Sequence, residues 1–142
     1  MARFMPEDWP IPELDRFNRD FFTAGKLVVQ QCVACQTVQH PPDAACNNCR
    51  AMEFRSLETN GEGTIYSYIV VHNPPAPALA EAVPYAVALV SLDEHPHVRI
   101  IGNVLNREPG EVEIGQKVRA TFEEIADEEA DETILLPQWD VV

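Results

Sequence analysis

Four cysteines, grouped in two closely spaced pairs, constrain this chain more than any other feature of its sequence. Each pair has the form Cys-x-x-Cys and ten residues separate the pairs, so that the set is Cys32, Cys35, Cys46 and Cys49. The tight turn within such a pair lets both sulfurs reach one ion, and two facing pairs form a closed tetrahedral site. The spacing therefore predicts a structural metal site of four thiolates, with zinc as the preferred metal and no open position for a substrate.

Other uses of these cysteines stay open at the level of sequence. Iron also binds four thiolates and is the less favoured metal. Disulfides are disfavoured, because the first eight residues lack the apolar stretch of a secretion signal and already include the acids Glu7 and Asp8. We therefore expect a cytoplasmic protein with reduced thiols. Gln36 and Arg50 follow the two pairs at positions where such turns often carry glycine. His40 could replace a ligand, but four thiols already complete the shell.

The first part of the chain, residues 1–25, predicts an extended arm followed by a helix. Several prolines lie in the arm, and apolar residues then recur at helical spacing over residues 13–25, with acidic side chains in the first turn. The aromatic stripe of this helix is large for so short a segment, so it is as well suited to a partner or ligand as to the core. The candidate contact residues are Trp9, Phe17, Phe21 and Phe22.

The second part, residues 26–52, predicts a zinc ribbon. One strand over residues 26–31 leads into the first cysteine pair, and a return strand over residues 37–42 leads toward the second pair. The ribbon would hold the metal, and the metal would in turn stabilise the ribbon.

The third part, residues 53–142, predicts a small β-barrel. Runs of β-branched and aromatic residues separated by turn residues predict short strands, which cover residues 54–57, 64–72, 85–92, 98–105, 116–125 and 134–139. This number of strands without intervening helices suggests a closed barrel of the OB type, and Gly102 is expected to mark a bulge. The predicted fold class is thus mainly β: an N-terminal helix, a zinc ribbon and an OB-fold barrel.

Two segments of the third part are predicted to be loops. Residues 73–83 are rich in proline and alanine, and a loop of this length hints at a functional contact. Between Glu123 and Glu132 seven of ten residues are acidic, which predicts a solvated and mobile loop.

The charge of the chain limits its partners. The net charge is −13, and residues 51–142 carry seventeen acidic and five basic side chains, a net of −12. A field of this sign repels phosphate backbones and anionic lipid, so we expect neither a nucleic-acid nor a membrane partner. A nucleic-acid-binding module stays the alternative function, because OB-folds and zinc ribbons often have that role. A stand-alone enzyme using His72, His95 or His97 is a third possibility, although histidines in turns are commonly surface residues.

Several of these features, taken in order, resemble an acyl-CoA-associated family that combines a rubredoxin-like zinc ribbon with an OB-fold. The resemblance covers residues 13–140 and departs from the family at Gln36, Arg50 and a glycine-free hairpin at 93–99. Its elements are the aromatic helix, a Leu-Val-x-Gln-x-Cys-x-x-Cys strand, a Pro-Pro-x-x-x-Cys-x-x-Cys return, and the segments Gly61–Tyr68, Ala86–Leu92 and Ile114–Val118.

What the resemblance implies is a non-catalytic accessory subunit of an acyl-CoA-processing complex. Members of that family pair with thiolase-fold enzymes, namely thiolases, synthases and the aldolases of steroid side-chain degradation, and some occur beside MaoC-type enoyl-CoA hydratases. The ribbon and helix would support the partner or face its CoA substrate. The sequence agrees, since it has no Ser/His/Asp signature, no cysteine outside the cluster, no P-loop and no dinucleotide fingerprint.

Overall fold

Strands dominate the fold, as the sequence predicts. The computed structural model describes residues 4–7, 9–126 and 132–142. In that part of the chain the helix α1 covers Arg19–Thr23, and short 3₁₀ turns cover Pro77–Leu79 and Pro109–Glu111. The strands are β1 (Val28–Cys32), β2 (Val38–Gln39), β3 (Phe54–Glu58), β4 (Glu62–Val71), β5 (Tyr85–Leu92), β6 (Arg99–Val104), β7 (Lys117–Ala126) and β8 (Thr133–Val141). No described helix is long and apolar enough to cross a membrane.

The strands form two sheets. The ribbon sheet is antiparallel with the order β2-β1-β3, so β3, which begins just beyond residue 52, pairs with the first strand of the ribbon. The other five strands close into a barrel in the order β4-β5-β6-β8-β7. Within the barrel only β6 and β8 are parallel among the described pairs. This closure and strand order are those of an OB-fold.

The ribbon and the barrel share one hydrophobic core. Trp139 is fully buried among the barrel strands, and Leu27, Val29 and Val38 of the ribbon belong to the same cluster of buried residues. Thr59 joins the two parts, because its N–H and its hydroxyl both donate to the Leu27 carbonyl at 2.9 Å. Loss of the ribbon would therefore expose apolar surface of the barrel.

The helix predicted over residues 13–25 is wrong in extent, since α1 begins only at Arg19. The preceding residues form a turn held by side chains. The Asp15 carboxylate accepts the N–H groups of Phe17 and Asn18, and the Asn18 side chain accepts the Asp15 N–H, each at 2.8 Å. Short polar side chains that bond nearby backbone in this way compete with helix and favour its start instead.

Gly102 does not mark a bulge. The β5–β6 register is continuous, and the irregularity of the barrel lies instead in β4, between Ile65 and Ser67. A Cβ at Gly102 would lie 2.8 Å from Cδ1 of Trp139, so the glycine makes room for the indole ring. The buried ring, and not the curvature of the strand, explains this residue.

The prediction of a solvated loop over residues 123–132 is wrong at its start. Strand β7 continues to Ala126, and Glu123 is fully buried. Its carboxylate accepts the Met5 N–H of the N-terminal arm and, at 3.0 Å, the side-chain N–H of Gln138. At the other end Glu132 pairs with Arg19, while residues 127–131 lie outside the described residues.

Candidate metal centre and adjoining groove

The four cysteines converge as their spacing predicts. The four Sγ atoms, those of Cys32, Cys35, Cys46 and Cys49, all lie within 4.8 Å of one another. The Sγ atoms of Cys32 and Cys49 are 3.6 Å apart, and so are those of Cys35 and Cys46. A tetrahedral ion with metal–sulfur bonds of about 2.3 Å needs sulfurs roughly 3.8 Å apart. The donor set and its dimensions therefore fit a metal such as zinc, which here would supply folding free energy.

Each cysteine pair lies on the same backbone turn. In the first turn the Cys32 N–H donates to the Thr37 carbonyl at 2.9 Å, and the Gln36 N–H donates to the Cys32 carbonyl at 3.0 Å. The same two bonds recur fourteen residues later, with Cys46, Arg50 and Ala51 in the corresponding places. Two copies of one turn thus present two sulfurs each to a common point.

Both turns require a left-handed residue. Gln36 has φ of +67° and Arg50 has φ of +69°, the region in which glycine carries no steric penalty. The side chain of Gln36 offsets part of this cost by donating to the Val33 carbonyl at 3.1 Å and accepting from Arg55. The missing glycines therefore change the strain of the turns and leave the ligands in place.

The thiols of Cys35 and Cys49 differ in their readiness to ionise. Hydrogen bonding to Thr37, whose hydroxyl oxygen lies 3.1 Å from the sulfur, lowers the pKa of Cys35 to about 6. The Ala51 N–H favours the Cys49 thiolate, but the neighbouring Cys35 sulfur and desolvation outweigh it and raise the pKa of Cys49 to about 12. Four thiolates at this distance repel one another, and a bound cation would remove that repulsion.

A groove of about 430 Å³ lies between α1, the ribbon and the barrel. The three predicted phenylalanines line it together, whereas Trp9 is outside its lining. Most of the other lining residues are apolar, namely Pro41, Pro42, Ala44, Ile100, Ile101, Leu136 and Pro137. The polar ones are Asp15, Asn18, His40 and Asp43. The tertiary structure thus places the aromatic stripe and one edge of the barrel on a single apolar surface.

The three phenylalanines have different surroundings within this groove. All are half-buried, and Phe21 also packs against the shared core and against the Phe22 ring, with the ring centroids 5.0 Å apart. The Arg16 guanidinium lies 4.6 Å from the centroid of the Phe17 ring. Phe21 is therefore partly a core residue, while Phe17 can be changed with less effect on the core.

His40 is a groove residue that sequence reasoning considered only as a metal ligand. Its ring lies against Phe21 with the centroids 4.8 Å apart, and its Nδ1 atom is buried with no hydrogen-bond partner among the described residues. Burial lowers the pKa of His40 to about 4, so the imidazole is neutral near pH 7. His40 thus contributes a neutral ring with one buried polar atom beside the groove; no sequence pattern signals this position.

The other histidines do not assemble into a catalytic group in the described structure. His95 and His97 lie in the turn between β5 and β6, and Nε2 of His97 is 2.8 Å from the Val38 carbonyl of the ribbon. His72 lies at the end of β4 and is exposed. His97 therefore has a structural role that joins the turn to the ribbon.

Comparison with known proteins assigns both parts of the chain. Residues 20–55 match the rubredoxin-like zinc ribbon domain of ChsH2, and residues 58–123 match its C-terminal OB-fold domain. A "DUF35 domain-containing scaffold protein" of Methanocaldococcus jannaschii is 35% identical over 109 residues, 76% of this chain and 75% of the relative. The chain belongs to the DUF35 family.

Two further relatives show how this DUF35 chain compares with longer and assembled proteins. It is 42% identical over 112 residues to a "Probable enoyl-CoA hydratase alpha subunit" of Thermomonospora curvata. The aligned residues make up 77% of this chain but only 34% of that relative. The DUF35 chain thus spans about a third of that protein. A solved "Ltp2-ChsH2(DUF35) aldolase" chain superimposes with a TM-score of 0.76 and 37% identity, covering 92% of this chain and 98% of the other.

Proposed function

We propose that the chain is a non-catalytic accessory subunit that supports the enzyme subunit of an acyl-CoA-processing complex. The observation that carries the proposal is the likeness to the chain from the Ltp2-ChsH2(DUF35) aldolase, which extends over nearly the whole of both chains. The enzyme partner would be thiolase-fold, as the resemblance implies, or of the MaoC hydratase type. That partner would carry the catalytic residues.

The metal centre supports a structural role for this chain. Four thiolates complete a tetrahedral shell and leave no position for a substrate or an activated water. We propose zinc as the ion, with iron as the alternative, and its function is to hold the two cysteine turns together. Elemental analysis of the native protein separates the two metals.

The apolar groove supports a contact with the partner or with its acyl-CoA substrate. The aromatic side chains of Phe17, Phe21 and Phe22 give it the anchors that protein interfaces favour, and His40 adds one buried polar atom. Trp9, on the arm, would contribute outside the groove.

A nucleic-acid-binding module has less support. Among the five cations after residue 50, Lys117 forms an ion pair with Asp93 at 3.1 Å and Arg119 with Glu62 at 3.4 Å. A cation that is already paired with a carboxylate neutralises phosphates less well, so it displaces fewer of the counterions condensed on a nucleic acid. Retention on heparin or single-stranded DNA at low salt would favour this alternative.

Affinity purification of the tagged chain from its native host, followed by mass spectrometry, tests the proposal. We expect an acyl-CoA enzyme subunit to co-purify, and we expect the purified chain alone to show no turnover of acyl-CoA esters. A normal enzymatic rate from the chain alone would contradict the accessory role.

Two groove variants assign the contact in the same experiment. Phe17→Ala should weaken the complex by roughly tenfold, and the Phe17→Ala/Phe21→Ala double variant by more, because central aromatic anchors dominate interface energy. The metal content should not change. Met52→Ala is the matched control, since Met52 is 79% exposed and is not among the groove residues. Wild-type affinity in both groove variants would show that the aromatic stripe belongs only to the core.

A further inference from the structure

One region of the barrel surface presents apolar side chains where a solvated sheet would present polar ones. Along β5, buried residues alternate with outward residues, which include Val87 and Leu89. Val87 has Ile69 on β4 and Asn103 on β6 as cross-strand neighbours, and Leu89 has Ser67 and Ile101. The two isoleucines are 61% and 65% exposed. An antiparallel sheet with one solvated face normally alternates apolar and polar residues. We refer to Ile69, Val87, Leu89 and Ile101 as the apolar barrel face.

The neighbouring region of the same barrel shows the ordinary pattern. Where β4 pairs with β7, Glu62 lies opposite Arg119 and Thr64 lies opposite Lys117. These residues are polar or charged, and Glu62 and Arg119 form an ion pair. The apolar barrel face is thus a local feature, with Ile69 and Ile101 exposed and Val87 and Leu89 half-buried. Together with the groove that Ile101 also lines, it forms a larger apolar surface of the kind that marks contact sites.

The position of the apolar barrel face within the fold also indicates binding. Strands β5 and β6 are the second and third strands of the barrel, and the face formed by these strands binds ligands in OB-folds. Single-stranded nucleic acid needs aromatic platforms and free cations there. The face instead holds aliphatic side chains, and the nearby Arg99 guanidinium lies over the Tyr66 ring, 3.9 Å from its centroid. Its composition therefore favours a protein surface over an oligonucleotide.

We propose that the apolar barrel face is a docking surface for the enzyme subunit of the complex, which would present an apolar patch with a basic rim. This inference rests on the proposed function. It adds which surface of the chain makes the contact and what kind of surface the enzyme subunit would present to it. The net charge of −13 opposes a second copy of the chain as the occupant and favours a basic rim on the partner.

The area of the surface indicates that the docking site extends beyond these four residues. At ordinary strand spacings they cover on the order of 200 Å², well below the ~800 Å² that each partner of a stable complex buries. Ile101 also lines the groove beside α1, so the two surfaces are continuous. The enzyme subunit would therefore straddle the barrel face and the aromatic groove.

Lysine substitutions at the two most exposed positions test the proposal. The probe is the enzyme subunit that co-purifies with the wild-type chain, itself purified, and the readout is its dissociation constant. Ile69→Lys and Ile101→Lys should each weaken binding about tenfold or more, because each loses apolar contact and repels a basic rim. Ile69→Glu should weaken it less. The matched control is Ile114→Lys, at a position that is 66% exposed in the turn before β7, and it should bind within about twofold of wild type.

The outcomes separate this proposal from the proposed function. Unfolding temperatures close to wild type show that the variants are folded. If the barrel variants bind like wild type while the Phe17→Ala/Phe21→Ala variant does not, the barrel face is not the docking surface, and the accessory role stands. If the wild-type chain binds no acyl-CoA enzyme subunit, both proposals fail. If sedimentation shows a dimer of the chain that Ile69→Lys dissociates, the occupant is a second copy and the proposal is overturned.

Discussion

At the scale of single residues, the metal centre combines well-placed ligands with a strained backbone. The four sulfurs are close enough for one ion, yet Gln36 and Arg50 have left-handed conformations that favour glycine. Gln36 has side-chain hydrogen bonds that offset this strain. The Arg50 side chain makes none with the described residues, so its strain is not offset in the same way.

Arg50→Gly should therefore stabilise the metal-loaded protein. Relief of the left-handed strain is worth up to about 1 kcal/mol in the free energy of unfolding, reduced by the greater entropy of glycine in the unfolded chain. Gln36→Gly should gain less, because it also loses the bonds to Val33 and Arg55. Denaturant titration of the two variants beside wild type measures the difference. A larger gain from Gln36→Gly would contradict this account.

His40 should make stability depend on pH. Its folded pKa of about 4 is below its ordinary value of 6.5 because burial disfavours the charged ring. Between pH 6.5 and pH 4 the unfolded state therefore binds more protons at His40 than the folded state does. The stability that the neutral ring contributes above the unfolded pKa is lost as the pH falls toward the folded pKa. Between about pH 7 and pH 5.5 the loss should be about 1 kcal/mol.

His40→Leu provides the control for this pH effect. The variant keeps all four cysteines, so any loss of metal in acid affects it and wild type alike. The difference between their unfolding free energies, followed across the pH range, isolates the imidazole. Parallel pH profiles would show that His40 is not buried in the neutral form.

At the scale of elements, α1 joins the ribbon and the barrel. It packs against β8 of the barrel and β1 of the ribbon. The Ser56 hydroxyl of β3 donates to Asp20 at 2.6 Å, and Arg19 pairs with Glu132 beside β8. The short helix is thus held mainly by its neighbours, since a helix of this length is unstable alone. The turn that leads into it is held by Asp15.

Asp15→Ala should destabilise the protein by about 1 kcal/mol, because its carboxylate holds the turn before α1 in the way that a capping side chain holds a helix start. The carboxylate accepts two backbone N–H groups, which would be left without that partner. Asp15→Asn keeps an acceptor oxygen and should lose much less. Thermal unfolding of both variants measures the effect, and equal losses would show that charge, rather than capping, is the important property.

At the scale of the whole molecule, the metal and the barrel are coupled through the shared core. Leu27 lies just before β1, Val29 lies on β1 and Val38 lies on β2, and all three pack with the barrel residues. Because binding free energy for a structural metal is folding free energy, removal of the ion should affect both parts.

Removal of the metal by a strong chelator, or by Cys46→Ser, should unfold the ribbon first and lower the stability of the barrel as a consequence. We expect one ion per chain in the native protein and its loss in the variant. Hydrogen exchange should rise in β1 and β2 before it rises in β5. Native protein without zinc or iron would contradict the prediction, and so would equal protection of the ribbon with and without metal.

The amino-acid sequence alone was sufficient for the local features of this protein. Cysteine spacing, strand periodicity and turn residues depend on neighbours along the chain. They predicted the convergence of the four cysteines, the mainly β fold and most strands close to their observed bounds. The order of motifs also carried the family resemblance that the comparisons confirm. These features are readable because short-range geometry decides them.

The tertiary structure decided the properties that depend on residues distant in sequence. Position 102 requires glycine because the Trp139 ring packs over it. Glu123 is buried, and its carboxylate bonds to the N-terminal arm and to Gln138. His40 packs against Phe21 beside the groove. The apolar barrel face likewise exists only where closure of the barrel aligns three strands. The sequence of each strand shows whether apolar and polar side chains alternate. Which face of the strand turns outward, and what covers that face, is decided by packing between elements far apart in the chain.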